Sequence, residues 1–167
     1  MPLTYADVSR TGDEREVLTT MLDWQRDTLA TKCDGLSDEQ LMVRSCPPST
    51  LSLLGLMRHL TDVERWWFRI RFQHEELPLR FSNDERPDDD FDALDSVPAQ
   101  AVRDAWLEEC AMARDIVAKH ELDDSGDRAD GTPVSLRWIL NHMVEEYSRH
   151  NGHADLLRQA IDGATGY

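Results

Sequence analysis

Glu146 and His150 stand four residues apart in the segment His142-Met-Val-Glu-Glu146-Tyr-Ser-Arg-His150, whose apolar neighbours recur at helical spacing. With His142 set at 0° and about 100° per residue, Ile139 and Leu157 fall near 60° and Met143 and Ile161 near 100°, which defines a core-facing stripe. Glu146 at about 40° and His150 at about 80° lie inside that stripe, with His153 at about 20° and His142 at its margin. Burying a carboxylate costs on the order of several kcal/mol unless a partner or a metal compensates. Residues at i and i+4 sit about 5–6 Å apart at Cβ on one helix face, so one helix can offer both ligands to a single ion. A third donor from a facing helix would complete a site with an open position. His59 is the best placed. On its own helix Leu56, Leu60, Val63, Trp67 and Ile70 share a sector of roughly 80°, and His59 lies about 20° beyond the edge. The other reading has each histidine hydrogen-bonded beside the core and Glu146 paired with Arg58, Arg65 or Arg149. Spacing alone leaves both open.

These residues need long helices to position them. The first helix is expected from about Asp13 to Lys32, with Leu18, Leu22 and Leu29 in register, and Gly35 ends it. Ser37-Asp38-Glu39-Gln40 has the capping-box pattern of a short turn. Pro47-Pro48 stops the chain before a second helix, from Ser52 to about Gln73. His74 to Ser96 is acidic and rich in Pro and Asp, and reads as a long crossover pinned by Phe81, Phe91 and Leu94. A third helix is expected from Ser96, with Pro98 in its first turn, to about Lys119. A polar loop, Asp123 to Thr132, leads to a fourth helix from Ser135 to Asp162, stopped by Gly163. No stretch shows strand alternation of useful length. The fold class that follows is all-α, a four-helix bundle with two longer connections, read as a single domain over residues 1–167.

Composition narrows the function. The 167 residues carry a formal charge of −15, with arginines scattered singly among Asp and Glu. Phosphate backbones would be repelled and no basic patch is visible, so no nucleic-acid partner is expected. The first ten residues lack a basic segment followed by an apolar one, and the most apolar run, Leu51 to Met57, is too short to span a bilayer. Three cysteines, Cys33, Cys46 and Cys110, have no metal-ligand spacing and read as reduced thiols of a cytoplasmic protein. A homodimer through a shared apolar face is left open.

Two segments resemble a known superfamily. Ser52-Leu-Leu-Gly-Leu-Met-Arg-His59-Leu resembles the second-helix pattern of the DinB-like superfamily, and His142 to Leu157 resembles its last metal helix. There a ligand, three residues, a histidine and a Gly-polar pair lead into Leu-Leu. The element order matches over nearly the whole chain. The resemblance implies a DinB-like metal-binding bundle with His59, Glu146 and His150 as ligands. Many relatives use three histidines; Glu146 stands where the second would be, similar to the mycothiol-dependent maleylpyruvate isomerase branch. Asp23-Trp24-Gln25-Arg26 and Glu146 to His153 are most similar to a subgroup from mycothiol-producing bacteria, related to bacillithiol and mycothiol S-transferases. His153 replaces the usual Gln and is open between fourth ligand, outer-shell partner and substrate contact. His142 and Arg149 are further outer-shell or substrate candidates.

The activity so implied is transfer or isomerisation with a low-molecular-weight thiol such as mycothiol on a small electrophile. A bound divalent cation deprotonates a coordinating thiol. Zinc suits two imidazoles and a carboxylate best, with nickel, manganese and iron as alternatives. Arg58 and Arg149 are read as surface or salt-bridged, and Trp66, Trp67, Trp138 and Tyr147 as core rather than pocket wall. Two rivals share the fold: a non-catalytic metal-binding stress-response protein, and a structural dimerising bundle without metal.

Overall fold

The computed structural model describes residues 2–166. After a single 3-10 turn, Tyr5–Asp7, the order is α1 (Glu14–Cys33), α2 (Asp38–Met42), α3 (Leu53–Glu64), a π-helical continuation (Arg65–Phe72), α4 (Asp89–Asp92), α5 (Ala99–Lys119), β1 (Ser125–Asp127), β2 (Pro133–Ser135) and α6 (Leu136–Asp162). The fold is all-α apart from the β1–β2 hairpin, an antiparallel pair with Gly126 opposite Val134. Among the described residues, no helix is long and apolar enough to cross a membrane. The chain divides into two compact units. One gathers the described residues up to Leu56 and from Leu140 onward; the other is Met57–Ile139.

In the first unit local signals set the helix ends. Asp13 caps α1 by accepting from the Glu16 amide at 2.9 Å. Gly35 follows its C-terminus at φ 76°, a conformation that costs glycine nothing. Ser37 and Gln40 exchange both capping-box bonds at the start of α2. Leu22, Leu29, Leu53, Leu54, Leu56, Met143, Tyr147, Ala154 and Leu157 are among its buried apolar residues. Polar clips join α1 to α6. The Asn151 side-chain amide donates to the Gln25 carbonyl at 2.9 Å and to Gln25 Oε1 at 2.7 Å, and Gln25 Nε2 donates to Ser148 Oγ at 2.8 Å. Gln25 and Asn151 are both buried, which explains why these positions carry amides rather than hydrocarbon.

The second unit departs from the expected pattern in three places. First, the helix after Glu64 widens to π geometry, with the Gln73 amide bonded back to Phe68. Wider turns keep residues four apart on one face. Leu56 and Leu60 of the expected stripe are buried, and beyond them burial continues through Glu64 to Phe68 and Phe72, whereas Val63, Trp67 and Ile70 of that stripe are only half-buried. Second, α5 starts at Ala99 with Pro98 as its extended cap, not at Ser96. Ser96 Oγ instead donates to the Ala93 carbonyl at 2.7 Å, closing the preceding turn. Third, the polar loop before α6 contains the hairpin. Gly126 rests against the π segment: a Cβ there would meet Arg71 O at 2.4 Å.

The crossover is held chiefly by buried charge. Asp62 accepts from the Arg80 and Ser82 amides at 2.7 and 3.0 Å and from Ser82 Oγ at 2.9 Å. Burial pushes the Asp62 carboxyl above its ordinary range, and these donors work against the shift. Buried Glu109 takes Arg65, Arg69 and Arg80 at 3.0, 3.3 and 2.8 Å. Arg58, read as surface or salt-bridged, is buried; it donates to the Asp89 and Asp90 carbonyls at 2.8 and 2.9 Å and stacks on Phe81. Phe91 and Leu94 are half-buried. Cys33 and Cys110 are buried, and Cys46 Sγ donates to the Leu156 carbonyl at 3.5 Å.

Replacing Asp62 by Ala leaves several amides of the crossover without their acceptor. Asp62→Ala is expected to lower the unfolding free energy by about 2–4 kcal/mol in urea titrations. A loss below about 0.5 kcal/mol would show that the crossover does not depend on this carboxylate.

Candidate metal centre

Helix α6 begins at Leu136 behind Ser135, whose Oγ accepts from the Trp138 amide at 3.2 Å. Ile139, Met143 and Leu157 are buried as the periodicity requires, while Ile161, near the end of the helix, is half-buried. His142, Glu146 and His150 follow one another at single-turn intervals along it. Their side chains are 19%, 19% and 11% exposed, so the carboxylate is largely withdrawn from water without being sealed off.

Glu146 Oε1 lies 3.4 Å from His142 Nε2, and Oε2 lies 3.5 Å from His150 Nε2. Two ligand atoms on one tetrahedral ion, each bonded at about 2.0–2.1 Å, stand roughly 3.4 Å apart. The Glu146–His150 pair thus has the spacing of two ligands of one cation, and its carboxylate and imidazole chemistry fits zinc or another borderline metal. His153 is on the far side of His150: the two Nδ1 atoms are 3.4 Å apart, opposite the nitrogen that meets Glu146. Burial, then the charges of His150 and Arg149, hold the His153 imidazole below its ordinary pKa. Arg149 is exposed.

His59, in the second unit, is oriented by a residue that sequence reading did not single out. Its Nδ1 lies 2.8 Å from Oδ2 of Asp90, and its ring stacks on Phe91 with centroids 4.8 Å apart. A carboxylate oxygen at that distance favours the arrangement with a proton on Nδ1, which turns Nε2 into the nitrogen suited to a metal. Asp90 is itself buried, its Oδ1 accepting from the Phe91 amide at 3.0 Å and its carbonyl from Arg58. This is how metal-binding histidines are usually oriented. The only sequence signal for it was an acidic run, Asp88-Asp89-Asp90, which has no periodicity to mark one member.

Arg58 and Arg65, two of the three proposed neutralising partners for Glu146, are committed within the second unit. Arg58 is bound to Asp89, Asp90 and Ser96, and Arg65 to Glu109 and the Pro78 carbonyl. A shallow pocket of about 190 Å³ beside His59 is lined by Asp62, Val63, Trp66, Leu79, Ser82, Pro87 and Asp90. Trp66 and Trp67 are half-buried and Trp138 is exposed, whereas Tyr147 is core.

The description of the mycothiol S-transferases matches residues 17–163, nearly the whole chain. The chain belongs to that family. The family lies in the DinB-like superfamily. A solved structure, the "conserved protein of locus from Enterococcus faecalis", is similar in fold, with a TM-score of 0.55 and 16% identity over 90% of this chain and 96% of that one. No curated protein matches the chain.

The Asp90–His59 bond has a direct readout. Long-range proton–nitrogen spectra should show His59 as the Nδ1-protonated tautomer in the parent, and Asp90→Ala should return it to the Nε2-protonated form. An unchanged tautomer in Asp90→Ala would show that another group orients the ring.

Proposed function

We propose that this mycothiol S-transferase is metal-dependent, with His59, Glu146 and His150 holding one divalent cation. The reading is carried by the spacing of Glu146 and His150 on α6, which suits two ligands of one ion. The outer-shell support that Asp90 gives His59 adds to it. Zinc is proposed as the ion, with nickel, manganese and iron as the alternatives to be tested.

A cation so held supplies one thing: a thiol that coordinates it is presented as a thiolate. The chain's residues do the rest. One carboxylate among the ligands leaves a net charge of about +1 on the ion and its ligands, which still favours an anionic thiolate. Asp90 fixes the tautomer of His59, and Phe91 fixes its ring plane. His153 packs against the outer nitrogen of His150, the place of an outer-shell partner rather than a fourth ligand. Arg149, exposed on the same helix, is proposed as a contact for the polar part of the thiol. The reaction is attack of mycothiol sulfur on a small electrophile: a carbon–sulfur bond forms, the leaving group departs with the electron pair of the bond that breaks, and the thiol proton passes to solvent.

Elemental analysis of purified protein, with mycothiol consumption measured against a panel of electrophiles, tests this. Chelation should abolish turnover and zinc or nickel restore it. His59→Ala should lower kcat/KM by about a hundredfold or more, the scale of losing a Lewis acid worth several kcal/mol. A metal-to-protein ratio near zero that added zinc and nickel do not raise would overturn the metal centre. A metal-loaded parent as inactive as His59→Ala with every electrophile would overturn the transferase reading and leave a metal-binding protein.

A further inference from the structure

Glu146 does not present one oxygen to two histidines; it presents a different oxygen to each. Oε2 meets His150 Nε2 at 3.5 Å, and Oε1 meets His142 Nε2 at 3.4 Å. One other histidine–carboxylate contact among the described residues, His74–Asp127, is longer at 3.9 Å, and three are shorter: 2.8 Å for His59–Asp90, 3.1 Å for His142–Glu145 and 3.2 Å for His120–Asp124. Those have hydrogen-bond lengths. The two Glu146 contacts are each near the roughly 3.4 Å edge of a tetrahedral coordination shell. On the His142 side a further ligand is at hand. His142 Nδ1 lies 3.1 Å from Glu145 Oε2, which leaves Nε2 as the nitrogen facing Glu146. His142, Glu145 and Glu146 each offer a ligand atom, and these atoms all lie within 4.8 Å of one another.

We propose that Glu146 is a bridging carboxylate between two divalent cations. Its Oε2 serves the ion shared with His150, and its Oε1 serves a second ion held with His142 and Glu145. The inference rests on the metal centre proposed above and adds a binding site to it. An imidazole and two carboxylates select a borderline or hard divalent cation such as zinc, manganese, cobalt or ferrous iron over a soft one. The Glu145 side chain is 60% exposed, so the second ion sits on the wet side of the helix, binds after the first and exchanges more readily. The competing arrangement is a set of direct contacts among these side chains with no second ion.

Full-length protein stripped by a chelator and titrated with Mn2+ or Co2+ in thiol-free buffer distinguishes them. Equilibrium dialysis should count a tight ion and then a weaker one per chain, and the manganese-loaded form should show the exchange-coupled resonance of a carboxylate-bridged pair. His142→Ala should remove the weaker ion and the coupling while keeping the tight ion, and Glu145→Gln should weaken it about tenfold or more. Circular dichroism checks the fold, and His142→Gln replaces His142→Ala if the latter unfolds. A parent that holds only the tight ion at millimolar metal, lost in His59→Ala, keeps the metal centre and overturns the bridge. A weaker ion that survives His142→Ala and Glu145→Gln overturns it too. A parent that binds neither ion overturns both.

Discussion

Helix α6 places the carboxylate of Glu146 between imidazoles one turn before and one turn after it, and that single juxtaposition organises the candidate site. Helical repeat makes the three side chains neighbours without any loop to position them. The same repeat puts Met143 and Tyr147 into the core of the first unit. Nearby on the helix, Asn151 is fastened to Gln25 of α1 through two hydrogen bonds. The rotation of α6 about its own axis is therefore fixed by a hydrocarbon stripe and an amide clip together. Moving Glu146 toward solvent would cost both.

The second unit solves a different problem, which is to hold a long acidic connection in place. An apolar staple cannot satisfy the backbone amides of such a segment. Asp62 accepts from amides on one stretch, Arg58 donates to carbonyls on another, and Glu109 gathers the guanidinium groups of Arg65, Arg69 and Arg80. The outcome is an anchored Asp90, and through it a histidine held in a fixed position. Buried charge is here a positioning device, whatever its net contribution to stability.

How far the sequence reveals this depends on whether a feature is local. The bounds of α1, α2 and α6 follow from caps and glycines, and the family likeness rests on short motifs in α3 and α6. The capping residues Asp13, Ser37 and Ser135 act within one turn, so reading them needs no tertiary knowledge. The widening of the helix after Glu64 does not announce itself in the sequence; the widened segment lies against α5 and β1, and burial there falls on Phe68 and Phe72 in place of the expected stripe. The hairpin was missed because strands of three residues are shorter than any alternation pattern. Within the site, the withdrawal of Glu146 and His150 from water was legible as periodicity. Asp90 was not, because a residue that acts by bonding another element leaves no mark in its own neighbourhood.

A member of a mycothiol S-transferase family works beside reagents that attack sulfur, and its own sulfur atoms are the obvious targets. Cys33 and Cys110 are sealed in the interior, and the thiol of Cys46 is turned onto the Leu156 carbonyl of α6. Alkylation needs an accessible thiolate. Two of the three sulfur atoms are thereby withheld from such reagents, and half-buried Cys46 is the position at which they would label the chain.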